Sequence, residues 1–150
     1  MLASTPHFLP RSGTSSGSIL PSPRAEGGTV SGGVRLLLRL EGLAAFAVSL
    51  ALYAHAGLSW PVFALFLLAP DLSMLGYLAG PRIGAAAYNL VHAYIPALLL
   101  TLVGFLGDLP VLTTAGLIVI AHIGLDRALG YGLKYSTAFG DTHLGRVGRR

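Results

Sequence analysis

The sequence contains no cysteine and little charge: 11% of its 150 residues are Asp, Glu, Lys or Arg, whereas 53% are hydrophobic. Without cysteine, neither a disulfide framework nor a thiolate metal site can form, so that only His, Asp or Glu could ligate a metal. Soluble domains carry about 25% charged residues. The shortage of charge therefore indicates that much of this chain faces lipid.

The first 33 residues lack hydrophobic periodicity and also the apolar core of a signal peptide. They are rich in Ser, Gly and Pro, a composition that cannot bury enough apolar surface to become ordered. We predict a disordered extension over residues 1–33 and a single membrane domain over residues 34–150.

Four apolar stretches follow, at 36–56, 60–79, 83–106 and 111–133. Each is long enough to cross the ~30 Å apolar layer of a bilayer, and the short turns between them make neighbouring helices antiparallel. The predicted fold class is all-α, an integral membrane up-down bundle of four transmembrane helices. Tyr131, Tyr135 and Phe139 recur every four residues after the last stretch and predict a short interfacial tail.

One side of this topology has no basic residues at all. All 10 Lys and Arg residues fall on the other side, and the side without basic residues has only His55 and Asp108 as ionisable groups. The positive-inside rule then predicts that both termini are cytoplasmic. Because orientation accounts for the net charge of +4, no nucleic acid is expected as a partner. The expected partners are the lipid bilayer and, for such a small bundle, further copies of the chain.

The first span could also be interpreted as a cleaved leader, since it ends in Ala54-His55-Ala56, which resembles a cleavage site. Glu41 near its start and the long extension before it favour a retained helix.

Several polar side chains interrupt the apolar spans, where each costs about 2.5–3.5 kcal/mol to insert if it is ionisable. They lie about 10–16 Å from the predicted cytoplasmic ends, at 1.5 Å per helical residue, and so form one polar layer. Pro70 and Pro96 remove backbone donors beside this layer and predict two broken helices. The members of the layer are Glu41, Asp71, Asn89, His92, His122 and Asp126.

The carboxylates and imidazoles of this layer suit zinc, manganese or iron. Asn89 and His92 are three residues apart, and His122 and Asp126 four apart, so each pair shares a helix face. We predict a divalent metal site whose ion activates water for hydrolase-like chemistry. Its predicted ligands are Asp71, His92, His122 and Asp126, with Glu41 or Asp141 as general base and Asn89, Arg127 and His143 in support.

Two further functions fit the same residues. The layer could relay protons or bind a cation in a small transporter component. It could also serve only to specify helix register in a structural or interaction protein without catalytic activity.

Two segments, LLAPDLSMLGYLAGPRIGAAAYNLVHAYIPALL and IVIAHIGLDRALGYGLKYSTAFGDTHLG, resemble an uncharacterised family of small bacterial multi-pass membrane proteins. That resemblance covers about residues 35–145 and implies the bacterial inner membrane, without supplying an activity. A looser similarity is to membrane-bound metal-dependent hydrolases, in which a Pro-Asp pair, a His and a His-x-x-x-Asp motif follow in the order seen here at Pro70-Asp71, His92 and His122 to Asp126. Ser73 stands where that pattern has a second acidic residue.

Overall fold

The computed structural model describes residues 28–148 and contains five α-helices, one 3₁₀ helix and a small β-hairpin. The predicted disorder of residues 1–27 lies outside the described residues. In chain order the elements are α1 (Gly32–His55), α2 (Trp60–Phe66), the 3₁₀ helix (Ala69–Ala79), α3 (Pro81–Val91), α4 (Tyr94–Leu106), α5 (Pro110–Leu129), β1 (Asp141–Thr142) and β2 (Gly145–Arg146).

These elements form four membrane spans, at Gly32–His55, Trp60–Ala79, Pro81–Leu106 and Pro110–Leu129. The prediction of four transmembrane helices is confirmed; two ends shift by four residues, and the others by two or fewer. The first span begins earlier than expected, at Gly32. The fourth ends at Leu129 and not at 133, because Gly130 adopts a left-handed conformation with φ 99° and accommodates the chain reversal.

Both predicted helix breaks are present and have a backbone cause. The second span changes from α2 to the 3₁₀ helix at Leu67–Leu68, just before Pro70, which cannot donate to the carbonyl of Phe66. The third span breaks at His92 and Ala93, and Pro96 follows in the first turn of α4. A 3₁₀ run as long as Ala69–Ala79 is uncommon and often marks a functional or strained region.

Close helix contacts are made at glycines. Gly42 of α1 packs so tightly on Gly124 of α5 that a Cβ atom at Gly124 would lie 2.7 Å from the carbonyl oxygen of Gly42. Gly116 of α5 similarly contacts Thr101 of α4. The fourth span is consequently the most buried of the four, with α1 and α4 beside it, while α3 packs on the 3₁₀ helix.

The outer surface of the bundle is apolar, as expected for a protein whose solvent is lipid. Large hydrophobic side chains point outward on every span, and Leu78, for example, is 88% exposed. The chain is a multi-pass membrane protein.

The segment after α5 folds back against the bundle and not along the membrane surface. Tyr131, Tyr135 and Phe139 do not lie on a helix; the chain runs irregularly to the hairpin, in which Asp141 pairs with Arg146. We call residues 130–148 the tail. The tail meets the segment before α1 through a hydrogen bond from the Val30 amide to the His143 carbonyl (2.9 Å), so the two ends of the described chain lie on the same side of the bundle.

Candidate metal centre

Four side chains from three spans converge where the two broken helices face α5. Asp71 lies on the 3₁₀ helix, His92 at the break between α3 and α4, and His122 and Asp126 one turn apart on α5. Both histidines are buried, with 1% of their surface exposed, whereas the carboxylate side chain of Asp71 is 37% exposed. The structure therefore brings together all four residues predicted as ligands.

The four potential ligand atoms all lie within 4.8 Å of one another. The Nε2 atoms of His92 and His122 are 3.0 Å apart. Each of these nitrogens is 3.6 Å from Oδ1 of Asp71, and they are 3.8 and 3.7 Å, respectively, from Oδ2 of Asp126. In a tetrahedral zinc site with bonds of about 2.0–2.1 Å, ligand atoms are separated by roughly 3.3–3.4 Å. The five separations given above, from 3.0 to 3.8 Å, lie close to that spacing.

The ring of His92 is held by Tyr88, one turn earlier on α3. Nδ1 of His92 is 3.0 Å from the Tyr88 carbonyl oxygen, to which it can only donate, so that a neutral ring presents a bare Nε2 to the cluster. The two aromatic rings also stack, with centroids 3.6 Å apart. Metal-binding histidines ordinarily have such a second partner, which selects the tautomer.

Tyr88 additionally holds a carboxylate of the cluster. Its hydroxyl donates to Oδ2 of Asp126 at 3.1 Å. One residue thus orients two of the four ligands, a role that the sequence analysis did not assign. The i,i+4 spacing of Tyr88 and His92 was the available signal.

Arg127 supports the helix break beside the cluster. Pro96 has no N–H and leaves the His92 carbonyl without its usual helical donor. The guanidinium of Arg127, itself 9% exposed, donates to that carbonyl from Nη2 at 3.2 Å. The supporting role predicted for Arg127 corresponds to this contact.

Asn89 attaches the tail to the cluster. Its amide donates to the Lys134 carbonyl at 2.9 Å and accepts from the Lys134 amide at 2.7 Å. These two bonds place the ammonium of Lys134, which is 6% exposed, 4.8 Å from the centroid of the Tyr88 ring. Burial lowers the pKa of Lys134, and the carboxylates of Asp126 and Asp71 oppose that shift.

The two residues predicted as general base are not part of the cluster. Glu41 is exposed on α1. Asp141, in the hairpin, accepts a hydrogen bond from Thr137 at 2.8 Å and faces Arg146 at 3.6 Å. His143 also has its own partner, since its Nδ1 accepts from the Leu133 amide at 2.9 Å. Asp141 and His143 thus make contacts within the tail, and among residues 28–148 neither they nor Glu41 form a hydrogen bond to a ligand carboxylate.

Fold and site together define a four-span membrane protein with one intramembrane cluster of two imidazoles and two carboxylates. A family model described as a domain of unknown function, DUF4260, matches residues 35–147, and the chain belongs to that family. No curated protein and no solved structure matches the chain. The predicted resemblance to an uncharacterised family is confirmed, whereas the looser similarity to hydrolases receives no support from these comparisons.

Proposed function

We propose that the chain is a membrane-embedded metalloprotein that binds one divalent ion, with zinc the best match, and uses it to activate water. The ligands are Asp71, His92, His122 and Asp126. The observation that carries this proposal is that four ligand atoms drawn from three spans lie within 4.8 Å of one another.

A metal accounts for these contacts better than a hydrogen-bond network does. With His92 Nδ1 donating to the Tyr88 carbonyl, Nε2 of a neutral His92 carries no proton and cannot donate to either carboxylate. The Tyr88 hydroxyl donates to Asp126, but with both carboxylates ionised and both rings neutral the four groups share at most one further proton, that of His122 Nε2. A divalent cation supplies the charge that satisfies all four groups.

Water activation needs an open coordination position, whereas four protein ligands are typical of a closed structural site. Asp71 is the ligand best placed to open this one. It is the most exposed of the four, and it lies on an irregular helix next to a proline. Among residues 28–148, no side chain donates a hydrogen bond to it. We propose that Asp71 yields its position to water and then accepts the proton of that water, which would make Glu41 and Asp141 unnecessary as bases.

The location of the cluster also favours a second function. Acidic and imidazole groups inside spans are used in proton and cation pathways. A transport role predicts a flux of protons or cations into proteoliposomes that is lost in His92→Ala. Such transport would not require a stoichiometric metal in the protein.

We further propose that the tail side of the bundle is cytoplasmic and that the membrane is the bacterial inner membrane. The support for the orientation is the positive-inside rule: in the four-span topology all six Lys and Arg of residues 28–148 fall on that side. The support for the membrane is the resemblance to bacterial multi-pass membrane proteins. Cysteines introduced at Arg82 and at Asp108 would report this orientation by labelling from opposite sides.

Metal analysis of protein purified in detergent without chelators tests the central proposal. We expect one ion per chain in the wild type and none retained in His122→Ala. The matched control is His55→Ala, because His55 is exposed at the C-terminal end of α1, on the side of the bundle away from the tail. A folded wild-type protein without stoichiometric metal, or equal loss in His55→Ala, would contradict the proposal.

Substitution of Co²⁺ distinguishes an active centre from a structural one. A d–d spectrum that changes on addition of azide would show that an exogenous anion reaches the metal. A tetrahedral spectrum that is insensitive to azide would mean that Asp71 never leaves, and the ion would then be structural.

A further inference from the structure

An apolar cavity of about 700 Å³ begins beside the candidate metal centre and extends away from the tail. We call it the span groove. Its inner end is formed by Pro70 and Val91, which immediately precede the ligands Asp71 and His92. Its outer end is formed by Ser59 and Pro110, at the turns on the opposite side of the bundle.

The span groove has the length and the apolar lining of a site for a flexible apolar chain. Val111 and Val119 of α5 both line it and are separated by about 12 Å at 1.5 Å per residue. The volume does fall within the roughly 300–1,000 Å³ of small-molecule sites, and acyl chains are the apolar molecules that a bilayer supplies.

The charge around the candidate metal centre favours a negative group. A divalent ion would be neutralised by the carboxylates of Asp71 and Asp126, while the buried cations Arg127 and Lys134 remain in excess. The Lys134 ammonium donates one hydrogen bond, to the Phe139 carbonyl at 2.9 Å, among residues 28–148. It has three N–H donors, so it retains capacity to bind an anion.

We infer that the substrate is an anionic amphiphile with one long apolar chain, which lies in the span groove while its anionic group binds at the metal near Lys134. This inference rests on the proposed metal function and specifies its substrate class. It gives a role to an apolar cavity whose lining includes Pro70 and Val91, the residues that precede two of the ligands.

Native mass spectrometry of the detergent-solubilised protein tests the inference, with palmitate as probe and hexadecanol as its uncharged analogue. We expect one palmitate per chain in the wild type. Ala115→Phe, in the middle of the groove wall, should lose the adduct. Ala64→Phe is the matched control, because Ala64 is exposed on α2 outside the groove. This variant should retain the palmitate adduct.

A second pair of variants keeps the test valid if Ala115→Phe does not fold. Val111 lines the groove rim and is 76% exposed, so Val111→Phe obstructs the opening without entering the protein core. Val103, which is 54% exposed on α4 away from the groove, provides the control Val103→Phe. Equal palmitate binding in all four variants would overturn the inference.

The head-group assignment has its own test. Lys134→Met should weaken palmitate binding and leave hexadecanol binding unchanged; an equal effect on both probes would refute the anionic group. Metal content measured on the same samples separates the two proposals. Protein with metal but no palmitate adduct would overturn the substrate inference alone. Protein with an adduct but no metal would overturn the proposed metal function and, with it, the binding of the anionic group at the metal.

Discussion

Removal of the Tyr88 hydroxyl should weaken metal binding without disturbing the fold. Tyr88→Phe retains the ring that stacks on His92 at 3.6 Å and the backbone carbonyl that faces His92 Nδ1. It deletes only the hydrogen bond to Oδ2 of Asp126, at 3.1 Å. Loss of an outer-shell partner typically lowers metal affinity by about 10–100-fold. We therefore expect a penalty of about 1.4–2.8 kcal/mol in metal binding.

The appropriate assay is a competition titration of zinc against a chromogenic chelator in detergent. Tyr94→Phe is the matched control: its hydroxyl is buried without a hydrogen-bond partner in the described part of the chain, so its loss removes no contact to a ligand. Zinc affinity should remain at the wild-type value in this control. An unchanged affinity in Tyr88→Phe, or an equal decrease in both variants, would refute the view that Tyr88 orients the metal ligands.

Two other predictions concern the fold and the tail. Gly124→Ala would place a Cβ 2.6 Å from the backbone nitrogen of Phe46, so α1 and α5 must separate. We expect the free energy of unfolding to fall by about 1–3 kcal/mol, which a lower melting temperature would show. Gly33→Ala meets nothing within 4 Å and should not be destabilised; a lower melting temperature there as well would argue against the packing explanation. Burial and the nearby Arg127 charge lower the pKa of His143 from its ordinary value of 6.5, so the folded tail takes up a proton less readily than the unfolded tail. Tail stability should be complete above pH 6.5 and decrease as the pH falls below it, measured as lower amide protection at residues 130–148 after correction for the intrinsic exchange rate. His143→Gln should lose this dependence; a wild-type tail whose protection falls no more than that of the variant would contradict it.

The number of spans and the residues of the centre could be predicted from sequence because both follow from local rules. A bilayer requires about 20 apolar residues per helix, and the turns and prolines interrupt the chain where those runs end. Asp71, His92, His122 and Asp126 were identifiable because ionisable groups in spans are costly and therefore few. Pro70 and Pro96 predicted breaks because a missing N–H acts within one turn of the chain.

Contacts between distant segments could not be predicted in the same way. The path of the tail depends on two hydrogen bonds from Asn89, which lies 45 residues before Lys134. This pairing buries a lysine that composition alone places at the membrane surface, and it leaves Asp141 and His143 with partners of their own. The role of Tyr88 likewise depends on the distance between α3 and α5.

The sequence by itself thus determined a four-span membrane protein with a polar layer, since hydropathy, proline and charge act residue by residue. Only the tertiary structure decided that four members of that layer meet at ligand distance while Glu41 stays outside. It also decided that an apolar cavity opens beside them. Both results depend on how the helices cross, and close contacts such as that between Gly42 and Gly124 determine those crossings.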